Sequence, residues 1–283
     1  MNSPYLFLTD LAQQVEIPRD GILSRMLYQD DHVKVVLFGF DKGQDLSEHT
    51  AATVAQLVIE RPSRARVFEQ IGIDYCCGGK KSLQQACEEK QLQVDEVVSA
   101  LLDAEQAPDP EERDWSQATL TELCEHIVAT HHEYLRRELP RLSELTRKVA
   151  DAHRDHHPEW DKVREVYENL RFELQLHMQK EEHVLFPAIM QMEQANAPLQ
   201  FHFGTVANPI RMMEHEHDSA AQALDELRRL TNNYTPAEDA CPTTRAMLEA
   251  LETLEKDLHL HIHKENNILH PRAIALEESL LRQ

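Results

Sequence analysis

Glycine is scarce in this chain, 7 residues in 283. With long Leu/Glu/Ala-rich stretches, that scarcity favours helix through most of the length and disfavours a turn-dense sheet fold. No apolar run reaches the roughly 18 residues that a membrane helix needs, so a membrane span is not expected. Basic residues are few against acidic ones, 29 Lys+Arg to 50 Asp+Glu, for a net charge of -21. Such a surface repels phosphate backbones and anionic lipid, which excludes nucleic acid and membrane as expected partners. The opening stretch MNSPYLFLTDLAQQ lacks the positive leader of a signal peptide. Cysteine is limited to 5, an odd number. Reduced thiols and a cytoplasmic location are therefore expected. What the chain does have, in a length sufficient for one sizeable core and a smaller unit, is 17 histidines.

Composition divides the chain into three segments. Residues 1–50 contain VKVVLFGF, Val33 to Phe40, a short β-branched apolar run followed by the turn-like DKGQ. A lone hairpin is marginally stable, so this extension is expected to pair with a partner chain or to pack on the rest of the protein. Residues 52–106 read as a small helical domain interrupted by Cys-Cys-Gly-Gly, and the Pro- and acid-rich QAPDPEERD reads as a linker. Residues 115–278 carry four long helical patterns, near 117–149, 158–195, 205–233 and 242–278. Long helices joined by short loops predict an antiparallel up-down bundle. The fold class is thus mainly α: a four-helix bundle preceded by a small helical domain and a short β-containing extension.

One phrase occurs twice in the bundle: HMQKEEHVLFP from His177 and HIHKENNILHP from His261. On the second helix Leu170, Leu174, His177, Glu181, Leu185 and Ala188 share a face; on the fourth, Leu251, Leu254, Leu258, His261, Glu265 and Leu269 do so. Each apolar stripe therefore carries a His and a Glu one turn apart, pointing inward. The third helix places His217 on the stripe of Met213, Ala221 and Leu224. The first offers His131 and His132, between which periodicity does not choose. His132 precedes His177 by 45 residues and His217 precedes His261 by 44, so two similar helical hairpins face each other and the site is expected to be two-fold.

Two buried carboxylates without compensation would cost several kcal/mol, and two metal ions offset them better than misplaced polar side chains do. Mixed imidazole and carboxylate donors suit iron, manganese or zinc. Six ligands for two ions leave open positions, and two symmetric glutamates that each bridge both ions favour a di-iron centre with one further bridging oxygen over zinc, which is content with four ligands. The Glu-x-x-His order of ferritin-like bundles is reversed here, which disfavours that class.

The phrases HMQKEEHVLFP, MEHEHD and HIHKENNILHP, together with IDYCCGGKKSL in the preceding domain, resemble the iron–sulfur cluster repair di-iron proteins of the RIC or ScdA/YtfE type. Those proteins join a hemerythrin-like (HHE) bundle to a short N-terminal Cys-Cys domain, and the resemblance spans residues 52–278. Position by position it implies His132, His177, Glu181, His217, His261 and Glu265 as metal ligands, with the two glutamates bridging a pair of iron ions, and it selects His132 over His131. It implies repair of clusters damaged by nitrosative or oxidative stress, by iron donation or by reduction of nitric oxide to nitrous oxide. Damaged iron–sulfur proteins, an electron donor and nitric oxide or oxygen would be the partners. Whether the chain is an enzyme in that sense stays open. The alternative is a hemerythrin-like protein that binds or senses oxygen or nitric oxide without turnover.

Two departures from that pattern concern His270, where the family often has Phe, and residues 1–50. His270 reads either as a hydrogen-bond donor behind the ligands or as an exposed residue, and exposure is the expectation. GQDLSEHTA, Gly43 to Ala51, looks like the opening of a cupin metal motif with His49 in a ligand position; lacking the rest of a cupin, it reads as a fragment used for packing or for a homodimer contact. Cys76 and Cys77 precede Gly78 and Gly79 in a loop, and adjacent thiols do not easily form an unstrained disulfide. Lys80 and Lys81 would favour thiolates there, so the pair is expected to handle redox equivalents, iron or a nitrosyl. Cys87, Cys124 and Cys241 read as structural.

Overall fold

The computed structural model describes the backbone of residues 22–29 and 34–40, and residues 52–104, 113–154 and 157–282 in full. These fall into two compact units divided between Asp114 and Trp115. In the first, β1 (Ile22–Gln29) and β2 (Lys34–Phe40) pair antiparallel, Ile22 opposite Phe40, with a register shift between Met26 and Tyr28. The cupin-like stretch Gly43 to Ala51, His49 included, lies outside the described residues.

Four short helices follow: α1 (Val54–Glu60), α2 (Ala65–Ile71), α3 (Leu83–Lys90) and α4 (Val94–Ala104). Thr53 and Ser82 open α1 and α3 with reciprocal capping boxes to Gln56 and Gln85. Gly72 ends α2 in the left-handed conformation, φ 69°. Val54, Leu57, Phe68, Tyr75, Leu83, Val98 and Leu101 are buried in this unit.

The second unit is a bundle of four rods. The first is α5 (Leu120–Ile127), a π-helical turn (Val128–His132) and α6 (Glu133–His153). The second is α7 (Glu159–Lys180), a π turn (Glu181–Leu185) and α8 (Phe186–Gln194). The third is the uninterrupted α9 (Ala207–Leu230). The fourth is α10 (Pro242–Lys264), a π turn (Glu265–Leu269) and α11 (His270–Leu281).

A π turn takes an extra residue, so the inward stripe moves by one position as the helix passes through it. In the first rod the buried stripe Leu120, Leu123, Cys124, Ile127, His131 hands over to His132, Leu135, Leu139, Leu142. Both adjacent histidines are therefore inside, one ending the stripe before the turn and the other opening the stripe after it.

Two end contacts repeat with the hairpins. Glu193, at the end of the second rod, accepts hydrogen bonds from the amides of Leu120 (2.7 Å) and Thr121 (2.9 Å), which open the first. Glu277, near the end of the fourth, accepts one from the amide of Val206 (2.9 Å), which opens the third. Each carboxylate satisfies helix-terminal N–H groups that have no partner within their own helix. A leucine-rich core, including Leu135, Leu139, Tyr167, Leu170, Leu224, Leu251 and Leu254, fills the bundle and fixes the rods that carry the site.

Candidate metal centre

Three of the six predicted ligands belong to π turns. His132 closes the first, Glu181 opens the second and Glu265 opens the third. His177 and His261 lie in the last turns of α7 and α10, and His217 lies along α9. All six are buried, and the two glutamates are 0% exposed.

The glutamates divide their oxygens. Glu181 turns Oε1 to His177 Nε2 at 3.2 Å and Oε2 to His132 Nε2 at 3.3 Å. Glu265 turns Oε1 to His261 Nε2 at 3.0 Å and Oε2 to His217 Nε2 at 3.1 Å. Donor atoms thus gather in two groups, His132 with His261 and His177 with His217, and both groups contain both glutamates.

The donor set calls for cations. Close as they are, both oxygens of Glu181, Oε2 of Glu265 and Nε2 of His132 are buried and make no aligned hydrogen bond among the described residues. Nε2 of His177 and Nε2 of His217 face each other at 3.1 Å, an approach that needs a proton or a metal between two lone pairs. Burial alone would lower the histidines, yet Glu181 and Glu265 hold His132 above its ordinary value, and Glu181 with Glu216 raises His177 to about 10. Burial and mutual repulsion should raise the glutamates; instead His177 and His132 hold Glu181 below the usual carboxylate range, and His261 and His217 do so for Glu265. Imidazole nitrogen and carboxylate oxygen in this proportion fit two transition-metal cations that share both carboxylates.

An outer layer turns the rings. His132 Nδ1 meets Glu182 Oε1 at 2.6 Å, His177 Nδ1 meets Glu216 Oε2 at 2.9 Å, and His217 Nδ1 meets Asn266 Oδ1 at 2.8 Å. A ring whose Nδ1–H is so engaged presents a lone pair at Nε2. Glu182, Glu216 and Asn266 were not singled out from the sequence. Each is the immediate neighbour of a ligand, so reading one residue past each glutamate or before His217 would have found them.

His131 stands apart from the ligand groups. Its Nδ1 meets Asp257 Oδ1 at 2.9 Å, its Nε2 accepts from Lys264 Nζ at 2.8 Å, and its ring stacks on that of His261 at 5.1 Å. Lys264 also donates to His126, whose ring stacks on Trp115 at 3.7 Å. The expectation for His270 is overturned: it is 1% exposed, because the π turn at Glu265–Leu269 rotates it inward. Cys124 is buried near the centre, where burial, Glu265 and Glu181 all push its thiol up. Cys241 is half-buried at the N-cap of α10, a structural position, where hydrogen bonds from Thr244 and contact with His153 bring it down to about 6.

In the first unit Cys76 and Cys77 are not joined in a disulfide, and their sulfurs lie 3.9 Å apart. The carboxylate of Asp74 accepts hydrogen bonds from the amides of Cys76 (2.9 Å), Cys77 (2.9 Å) and Gly78 (2.8 Å), and forms a three-residue donor group with the two sulfurs. The expected lysine-assisted thiolate is not found at Cys76: the contact with Cys77, burial and Asp74 raise it, and Lys81 pairs with Glu89 at 2.6 Å. Gly79 is required by backbone approach, since a Cβ there would stand 2.4 Å from the Tyr75 carbonyl oxygen.

Residues 123–273 match the family model described as the Hemerythrin HHE cation binding domain, and residues 50–105 match one described as a domain of unknown function. The chain is 39% identical over 221 residues to an iron–sulfur cluster repair protein YtfE of Edwardsiella ictaluri, covering 78% of this chain and 96% of the relative. It is 38% identical over 224 residues to the protein of that name in Escherichia coli O81, covering 79% and 97%, and 38% identical over 223 residues to that of Dickeya chrysanthemi, covering 78% and 96%.

Proposed function

We propose, from the premise that this chain belongs to the hemerythrin HHE family and to the group of iron–sulfur cluster repair proteins, that it holds two iron ions and restores clusters damaged by nitrosative or oxidative stress. The observation that carries this reading is the sharing of Glu181 and Glu265 by two histidine pairs. His132 and His261 would hold one ion, His177 and His217 the other, and both glutamates would span the two. When bound, iron supplies redox electrons and open coordination positions, and it is also the element a damaged cluster lacks.

The chain's own residues prepare this chemistry. Glu182, Glu216 and Asn266 set the tautomer of three ligands, and the leucine core keeps water out. A pocket lined by Leu170, Leu174, Ala220 and Leu258 reaches His177 and His217. Its apolar walls suit a small, weakly hydrated ligand such as nitric oxide. Cys76 and Cys77 are the proposed redox or iron- and nitrosyl-handling pair, with Asp74 fixing their loop.

The finer reading is reduction of nitric oxide to nitrous oxide at the centre. Anaerobic protein loaded with ferrous iron is mixed with nitric oxide, and nitrous oxide is counted per chain. Stoichiometric or greater release supports it. A stable iron–nitrosyl species without nitrous oxide contradicts it and favours iron delivery or binding without turnover. A homodimer through residues 1–50 is proposed from the strand character of that extension, a two-stranded ribbon that is marginally stable by itself, and a monomeric mass in solution scattering would remove it.

A further inference from the structure

The two hairpins repeat residue by residue around the centre, and at one position they disagree. Phe186 lies five residues after Glu181; its ring stacks on His132 with centroids 5.8 Å apart and planes 16° apart. His270 lies five residues after Glu265; its ring stacks on His217 at 6.1 Å and 4°. The two side chains play the same packing role on equivalent ligands, one apolar and one carrying two ring nitrogens.

Those nitrogens are unexplained by packing. His270 is 1% exposed, and neither Nδ1 nor Nε2 has a hydrogen-bond partner among the described residues. Burying a polar group without a partner is destabilising, and phenylalanine at the equivalent position shows that the fold accepts an apolar ring there. An imidazole in its neutral form carries one donor and one acceptor. The ring it stacks on, His217, belongs to the donor group of His177, Glu181 and Glu265.

We propose that His270 is a ligand-binding side chain: its free ring nitrogen hydrogen-bonds a small polar molecule or anion held at the His177–His217 half of the centre, and Phe186 leaves the other half without that contact. The proposal rests on the metal reading above. It makes the centre chemically two-sided although its ligands are two-fold, and it assigns retention of small polar ligands to one side.

The test uses the full-length iron-loaded, oxidised protein, with azide as the probe, followed by absorption titration. Iron per chain is measured for every sample. His270→Phe is expected to keep the wild-type iron content and to bind azide at least about tenfold more weakly, whereas His270→Gln, which keeps a donor and an acceptor, recovers part of the loss. In the metal-free state His270→Phe is expected to melt at a higher temperature than wild type, since the substitution removes two unsatisfied nitrogens. Azide affinity within twofold of wild type in His270→Phe at equal iron content overturns the proposal, as does loaded wild type that binds no azide. Wild type that takes up no iron pair overturns the metal reading itself, and the iron measurement tells that failure from the other.

Discussion

The two hairpins of the bundle agree where they touch the centre and differ one layer out. His132 and His217, His177 and His261, and Glu181 and Glu265 are equivalent pairs, and Glu193 and Glu277 cap equivalent helix starts. Behind them the pairs diverge. Glu182 holds His132 where Asn266 holds His217; Glu216 holds His177 where His131 stacks on His261; Phe186 stands where His270 does. The inner residues form two His/Glu donor groups that share both glutamates, and so repeat. The outer layer sets charge, tautomer and polarity around the histidine rings, and can differ without breaking the donor groups.

The strongest way to break the comparison is to remove a glutamate from either hairpin. Because each spans both histidine pairs, Glu181→Leu and Glu265→Leu are both expected to reduce iron from about two per chain to well below one, measured by elemental analysis of protein loaded anaerobically. Loss of a single ion from one variant and of both from the other would show that the glutamates are not equivalent. Next come the single histidines. His132→Ala and His217→Ala are expected to lose about half the iron, while His131→Ala, outside the ligand groups, keeps all of it. Iron lost from His131→Ala as from His132→Ala would sink the assignment within the first π turn.

A smaller effect is expected from the outer layer. Glu182→Ala, Glu216→Ala and Asn266→Ala should each weaken metal affinity by about 10–100-fold without changing its stoichiometry, read from competition with a chelator of known affinity. The carboxylate variants should exceed the amide one, because a carboxylate raises the basicity of the ring it holds. The smallest expected effect lies at the helix entrances, where α10 begins at Cys241-Pro242 and α7 at His157-Pro158. Cys241 is lowered to about 6 and half-buried, so it is predominantly thiolate above that pH and thiol below it. Its alkylation by iodoacetamide, mapped by peptide mass, is expected at neutral pH ahead of buried Cys124 and to slow as pH falls through about 6. Equal labelling of Cys124 would contradict the burial that separates them.

Much of this architecture was legible in the doubled phrase. An apolar stripe interrupted by His and Glu one turn apart can be read from spacing alone, and so can the hairpin repeat that brings two such stripes together. The π turns were not legible, because they break the periodicity on which the reading depends. That is why the residues alone left His131 and His132 open, and why His270 was expected at the surface. Asp74 was missed for a different reason: its carboxylate serves three backbone amides of the Cys76–Cys77 loop, and a side chain that satisfies backbone leaves no periodic trace. The contact of Cys241 with His153, 88 positions away in sequence, likewise leaves no local trace.

The proposed centre has two metal positions that share both glutamates. Protein loaded with isotopically enriched iron and oxidised would be examined by Mössbauer spectroscopy in low and high applied field, with iron counted per chain. Two ions per chain with antiferromagnetically coupled spins is the predicted result, since shared carboxylates hold the ions as neighbours. One ion per chain, or two ions with independent paramagnetic spectra, would contradict it.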